Sequence, residues 1–440
     1  MVLPENILYC LNALERSGYE AWVVGGCVRD AVLGRTPKDY DICTRALPEQ
    51  TRAVFAGHQL ILAGEKHGTV GVVAEGQAVE ITTYRAEGTY ADSRHPDWVS
   101  FVGTIDQDLA RRDFTVNAMA WSPSRGLRDP FGGRADLETK TLRAVGEPEQ
   151  RFREDALRIL RGIRFCAAYG LEPEEKTLGA MFSQRCLMDR LARERVYDEL
   201  CGFLPCAGLG DLQRFAPILA QVIPELAPMI GFDQHSPHHA YDLYTHVAHV
   251  TAGVSRDLTV RWAALLHDIG KIPTFTRDET GRGHFYGHAP AGAKMAREVL
   301  LRLKAPSAMV ETVPTLIANH MLRLDPDRKQ LRRQLRRLGF DTVEKLLDLQ
   351  EADMTSKGTG EEGGRNVFPQ IRELLTQIRA EDDVLAVKDL AVNGNDLLAL
   401  GLRGRQIGQA LDIVLGAVID ERLENEKEAE LAWLRSVYEL

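Results

Sequence analysis

"VVGGCVRDAVLGRTPKDYDI" (residues 23–42) runs from two valines into Gly25 and Gly26, passes Arg29 and ends in two aspartates one residue apart, Asp39 and Asp41. The valines close a short buried strand, "AWVVGG". "RDAVLG" reads as a helical turn or two ended by Gly34, and "KDYDICT" as a second strand. Side chains at i and i+2 of a strand share a face, so Asp39 and Asp41 are expected to project together. Two like carboxylates side by side are costly unless a cation sits between them. Mg2+ held by one or two carboxylates completes its shell with water and substrate phosphates, and a pair of such ions suits in-line phosphoryl transfer. Glycines between strand and helix let phosphate approach backbone N–H groups, and Arg29 adds a charged clamp. The stretch reads as a site for a nucleoside triphosphate and its metal. Asp-x-Asp alone is common in turns; strand, two glycines, arginine and Asp-x-Asp in that order is far more specific.

Outward from this stretch, Ile7, Leu8, Leu11 and Leu14 recur at helical spacing in residues 1–20. "HGTVGVVAEGQAVEITTY" reads as a hairpin turning at Glu75–Gly76, with Glu80 on its second strand. Residues 85–106 read as a mobile loop, "RRDFTVNAMAW" (111–121) as strand-like and "DPFGGRADL" (129–137) as a turn. From about residue 148 strand signals largely stop and helical periodicity takes over. The fold class expected is α+β: a small mixed sheet as head, then an all-α neck, a third domain and a helical tail. The boundaries are 1–146, 147–232, 233–360 and 365–440, with "SKGTGEEGGRNVF" (356–368) as a linker.

The chain has 440 residues, enough for several domains, with 44% hydrophobic and 27% charged residues. No apolar run is long enough to span a bilayer, and the N-terminus has no signal-peptide pattern, so the expected location is cytoplasmic with no membrane partner. Seven cysteines lie scattered without a CxxC pair, which argues against a zinc ribbon or a disulfide framework. A net charge of −9 argues against broad binding to nucleic acid. Local basic tracks remain. In "RKQLRRQLRRLG" (328–339), Lys329, Arg332, Arg333, Arg336 and Arg337 recur at helical spacing, as either a solvated face or a phosphate-contacting one.

The 23–42 stretch resembles the head motif of the class II tRNA nucleotidyltransferases, the bacterial CCA-adding enzymes and their poly(A) polymerase relatives in the polymerase β-like superfamily. The resemblance continues through "RRDFTVNAMAW", "DPFGGRADL" and "RFREDALRILRGIRFCAAYG" (151–170). It implies Asp39 and Asp41 as catalytic Mg2+ ligands, and Gly25, Gly26 and Arg29 at the nucleotide. A third carboxylate on a neighbouring strand helps such sites activate the attacking hydroxyl. Glu80 is the candidate, its other reading being a surface glutamate on an edge strand.

"EDALRILRGIRF" sets Asp155, Arg158 and Arg161 at i, i+3 and i+6, with Arg164 a step further, along one side of a helix. The simpler reading is an intrahelical Asp–Arg pair. The functional one follows from base edges. Cytosine and adenine both present an amino donor beside a ring-nitrogen acceptor, whereas uracil and guanine present the reverse. A carboxylate only accepts and a guanidinium only donates. Asp155 and Arg158 therefore fit C and A and leave U and G with clashing groups, costing roughly several kcal/mol if buried. The resembled family is understood to select CTP and ATP in this way without a nucleic-acid template. Its nucleotide-binding residues fall here on Asp155, Arg158, Arg161 and Arg164, with Arg112 of "RRDF".

A third series, "YTHVAHV" (244–250), "ALLHDIGK" (264–271), "GHFYGHAP" (283–290), "IANHM" (317–321) and "LQEADMTSKG" (349–358), supplies histidine and aspartate from separate helical stretches. A lone buried histidine is usually a core residue. His267–Asp268 at the end of an apolar helix is less easily so explained, and such donors suit a divalent metal and metal-activated water. The series resembles the HD phosphohydrolase domain, whose metal ligands fall on His246, His267, Asp268 and Asp353; His288 and His320 could complete a second site.

Together these features predict addition of CCA to tRNA from CTP and ATP, with Mg2+ in the head and a second divalent metal in the HD domain. A full-length loop at 84–105 and an acidic C-terminus favour full CCA addition over A-only or poly(A) addition. The competing readings are an HD phosphohydrolase acting on nucleotides or RNA ends, with a head that only binds RNA, and a noncatalytic tRNA-binding chaperone. In the family the C-terminal region grips tRNA; Gly404, Arg405 and Gly408 mark either a phosphate-meeting helix start or a packing element.

Overall fold

In the computed structural model, which describes residues 1–87, 99–236, 240–358, 367–381 and 384–439, strands Ala21–Val24 (β1) and Asp41–Thr44 (β2) pair antiparallel, Val24 opposite Asp41. Around them a sheet assembles from Leu60–Ile61 (β3), Thr69–Ala74 (β4), Gln77–Thr83 (β5), Ala120–Ser122 (β8) and Gly126–Arg128 (β9). The strand order is β3-β4-β5-β2-β1-β8-β9. β2 and β5 run parallel, with Asp41 opposite Glu80, and the other pairs are antiparallel. Glu80 thus stands on an interior strand, which removes the edge-strand reading. The hairpin turns where expected, with Glu75 and Gly76 at φ 51° and 77°, the paired positive dihedrals a two-residue turn requires.

Four local expectations need correction. Asp39 lies in the irregular segment ahead of β2, because the strand begins only where pairing to Val24 begins. Leu8 points outward at 38% exposure, while Ile7, Leu11 and Leu14 of helix Glu5–Arg16 are buried. "RRDFTVNAMAW" is strand only at its end; Thr115–Asn117 is a 3-10 turn. The loop expected at 85–106 begins and ends in paired strands, Arg85–Glu87 (β6) and Val99–Phe101 (β7); residues 88–98 lie outside those described. Residues 359–366 of the expected linker lie outside them too.

The chain divides into two compact units, Met1–Ala227 with Arg302–Ala305, and Pro228–Leu301 with Pro306–Leu440. The first holds the sheet and the helices that follow it, including Pro148–Glu154, Leu157–Tyr169 and Arg193–Phe203. Trp22, Val24, Cys43, Tyr84, Leu109 and Ala120 form part of its core. The second is almost wholly helical. None of the seven cysteines forms a disulfide, and among the described residues no helix is long and apolar enough to cross a membrane.

The arginine-rich helix Arg328–Leu338 carries a partly exposed stripe whose charges are largely paired within the same unit. Arg333 and Arg336 bind Asp420 and Asp412, and Lys329 lies 3.5 Å from Glu421. Arg332 is buried and donates to the Val418 and Ile419 carbonyls at 3.3 and 3.1 Å. Those carbonyls close helix Arg405–Ile419; Val418 O also accepts from Glu421 N at 3.0 Å, whereas Ile419 O has Arg332 as its donor. Arg332→Ala is expected to cost about 1–3 kcal/mol by orphaning the Ile419 carbonyl. Arg333→Ala, at an exposed pair, should cost about 0–1 kcal/mol. Urea unfolding of the two variants checks the difference.

Candidate active site

Gly25 ends β1 at φ 75°, a left-handed conformation that suits glycine. A Cβ there would fall 2.6 Å from Arg112 Nη1, so the glycine lets the Arg112 guanidinium lie against the strand–helix turn. Arg112 is held by buried Asp108, Nη2 to Oδ2 at 3.3 Å. Its charge is felt by Asp41, whose carboxyl burial pushes above the ordinary carboxylate value; Arg112 opposes the rise and Asp39 adds to it. Asp41 and Glu80 are register partners on the exposed face of the sheet. Asp39, Asp41 and Glu80 line one cavity of about 640 Å³, and Asp41 also lines a second of about 440 Å³. Mutual repulsion at Asp39 and Asp41 fits a divalent cation between them.

Seven arginines and three aspartates line the smaller cavity, with Gly25 and Gly26. Arg29 is there, but buried and committed. It donates to Asn117 Oδ1 at 2.7 Å, to Asp30 Oδ1 at 2.8 and 2.9 Å, and to the Tyr169 hydroxyl at 2.5 Å. It offers a triphosphate its charge more than free N–H groups. Arg161 binds Asp113 Oδ2 at 2.8 Å and Arg164 binds Glu199 Oε2 at 2.6 Å. Burial alone would raise the Asp113 carboxyl, but Arg161 outweighs it and holds the group at about 2. Asn117 donates to Asp113 and accepts from Arg29.

Asp155 is not on the helix with Arg158. It sits in extended backbone (φ −143°, ψ 105°) between helices Pro148–Glu154 and Leu157–Tyr169. Its carboxylate accepts from Leu157 N at 3.0 Å and from Arg195 Nη2 at 3.1 Å. Arg158 is buried and donates to Glu154 Oε2 at 2.8 Å and to the Arg151 and Arg111 carbonyls at 3.1 and 3.0 Å. The two still meet in the one cavity. The sequence reading missed Asp113, Asn117, Arg195 and Glu199. The first two stand inside a motif already quoted. Arg195 and Glu199 resemble an ordinary i, i+4 helix pair, and no local signal sets them apart.

In the second unit His246, His267, Asp268, Asp353, His288 and His320 come together. His246 Nε2 is 3.0 Å from Asp353 Oδ1, and His267 Nε2 is 3.2 Å from Asp268 Oδ2. Every one of the four imidazoles turns Nδ1 to a backbone carbonyl, at Ser356, Ala264, Phe285 and Ile317. That orients each ring and turns its Nε2 into the cluster, where it can serve as a ligand atom. The Nε2 atoms of His288 and His320 lie 3.2 Å apart, two lone pairs that a cation would reconcile. His267 Nε2 is buried with no hydrogen-bond partner among the described residues. Although burial disfavours its charge, Asp268 is held ionised by His267 and Lys271, the latter at 2.8 Å. Asp268 turns Oδ2 toward His246 and His267 and Oδ1 toward His288 and His320. The donor set thus fits a cation on either side of it.

Residues 21–143 match the poly A polymerase head domain and residues 243–356 the HD domain. The fold and the carboxylate site define a nucleotidyltransferase joined to an HD domain. The CCA-adding enzyme of Streptococcus thermophilus (strain CNRZ 1066) is 31% identical over 446 residues, covering 99% of this chain and 98% of its own. That of Geobacillus thermodenitrificans (strain NG80-2) is 34% identical over 440 residues, covering 98% and 96%. The chain belongs to the CCA-adding enzyme family. It is similar throughout to the crystal structure of the Bacillus stearothermophilus CCA-adding enzyme in complex with CTP: TM-score 0.71, 28% identity, 100% of this chain and 98% of that one. It shares its fold with the Thermotoga maritima CCA-adding enzyme complexed with tRNA, at TM-score 0.63 and 19% identity over 99% and 96% of the two chains.

Because the Asp113 carboxyl sits at about 2 in the fold against an ordinary 3.8, its ion pair contributes in full above about pH 4 and is lost as pH falls through about 2. Asp113→Asn is expected to lower stability at neutral pH. Its deficit against the native chain should shrink between about pH 4 and 2, as read from urea midpoints.

Proposed function

We propose that this chain completes the CCA end of tRNA by moving CMP and AMP from CTP and ATP onto the 3′ hydroxyl, with residue roles as follows. The observation that carries the reading is one cavity lined by a base-reading pair, Asp155 and Arg158, and by the carboxylate Asp41. Asp155, steadied by Arg195, accepts from the amino group of C or A, and Arg158, steadied by Glu154, donates to the ring nitrogen. Arg161 and Arg164 complete the wall, while Gly25, Gly26, Arg29 and Arg112 face the triphosphate. Asp39 and Asp41 would hold Mg2+, which when bound neutralises charge on the attacking and leaving oxygens. The acceptor's 3′ oxygen bonds to the α-phosphorus, the bond to the β-phosphate oxygen breaks, and pyrophosphate leaves. Glu80, beside Asp41, takes the hydroxyl proton. Residues 1–146 serve as transfer head and 147–232 as neck, and the setting is the cytoplasm, where CCA-less tRNA is made good.

The four backbone-anchored imidazoles favour a second activity in the HD domain, hydrolysis of phosphoesters. His246, His267, Asp268 and Asp353 would hold the primary divalent metal, which when bound supplies an activated water.

Labelled CTP and ATP are offered with Mg2+ to tRNAs ending before C74, after C75 and after A76. Both nucleotides on the first, A alone on the second and nothing on the third is the expected outcome. ATP on the second alone would make it an A-adding enzyme, and long A tails a poly(A) polymerase. Asp39→Ala and Asp41→Ala should each lower incorporation on the order of 10³-fold or more. Asp268→Asn should remove metal-dependent hydrolysis of nucleoside monophosphates and leave CTP incorporation intact. Loss of both together would count against two separate sites.

A further inference from the structure

Two cavities meet at the carboxylates, and Asp41 is the one residue that lines both. We propose that the larger, of about 640 Å³, receives the 3′-terminal nucleotide of the acceptor RNA, its base resting on Tyr40 and its edge on Asn6 and Gln77. The proposal rests on the transferase reading. In-line displacement puts the attacking oxygen and the leaving pyrophosphate on opposite sides of phosphorus, so the two substrates must reach the same carboxylates from different directions. The arginine-lined cavity suits the triphosphate. The larger one has no arginine in its lining, which makes it a poor polyphosphate site.

What it offers suits a nucleotide's sugar and base. Asp39, Asp41 and Glu80 line it, and carboxylates accept from ribose hydroxyls. Asn6, buried at the start of helix Glu5–Arg16, donates Nδ2 to Gln77 Oε1 at 3.2 Å and accepts from Ile7 N. Gln77 begins β5, and its amide nitrogen takes no part in these bonds. Tyr40 is half-buried between the two aspartates, and exposed Lys38 stands beside it, placed for the last backbone phosphate. The volume falls within the roughly 300–1,000 Å³ of small-ligand sites. The chemistry also explains tolerance. The acceptor's last base changes as the end grows, first the tRNA's own, then C, then C. An aromatic shelf accepts any base, and an amide offers both a donor and an acceptor. Selection by Asp155 and Arg158 is thereby kept apart from acceptance of the growing end.

The test is steady-state incorporation of CTP into tRNA lacking CCA, with equilibrium CTP binding measured alongside. The variants are a Lys38→Ala/Gln77→Ala pair, Tyr40→Ala and Tyr40→Phe. The pair and Tyr40→Ala should raise KM for tRNA roughly tenfold with KM and affinity for CTP unchanged, and Tyr40→Phe should restore the native value. In the native enzyme, an acceptor ending in 4-thiouridine should photocross-link to residues 36–40 or 77–78. An unchanged tRNA KM, an equal rise for CTP, or cross-links only elsewhere would overturn the assignment. A native enzyme that incorporates nothing would overturn the transferase reading beneath it, and that result needs no variant.

Discussion

Everything at the nucleotide cavity hangs from one buried carboxylate. Asp113 accepts from Arg161 on the neck helix, from Asn117 and from its neighbour's backbone N–H. Asn117 in turn accepts from Arg29 on the helix that follows the glycines. A buried carboxylate without such partners would have to neutralise itself. Satisfied as it is, Asp113 ties helix Leu157–Tyr169 to the helix that carries Arg29. The spacing between the proposed base-reading and triphosphate ends of the cavity is therefore set by a chain of hydrogen bonds inside the first unit.

The histidine cluster meets the same constraint differently. There the charged centre is Asp268, and the surrounding imidazoles are aimed by backbone carbonyls instead of by other side chains. Carbonyls at helix ends and turns are fixed by the fold itself, so each imidazole keeps its direction without a further charged partner.

Local chemistry was readable in the sequence where it depends on neighbours in the chain. The glycine pair, the Glu75–Gly76 turn, the Asp-x-Asp and the His267–Asp268 pair are all of this kind: the turn forms where expected, and the other residues lie in the candidate sites. What failed depends on distant partners. Asp155 looks helical by spacing, yet its carboxylate takes the Leu157 N–H and Arg195 and breaks the helix. Arg29 looks like a free clamp, but Asn117 and Tyr169 occupy it. The arginine-rich helix 328–338 reads as an unopposed basic stripe, but Asp412 of helix Arg405–Ile419 and Asp420 and Glu421 in the turn after it oppose its charges. Charge spacing reveals a stripe; it does not reveal what opposes it.

That neutralised stripe shapes how substrates arrive. The chain carries −9 overall, and its most conspicuous run of arginines is cancelled by local carboxylates. Seven arginines remain concentrated around one cavity. Each of these is paired as well, with Asp30, Asp108, Asp113, Glu154, Asp155 or Glu199, so the cavity offers a nucleotide ordered charge pairs and not a broad positive field, while a long polyanion meets a protein of net negative charge. RNA must then be held by shape and by its end, which disfavours lingering on internal stretches of unrelated RNA.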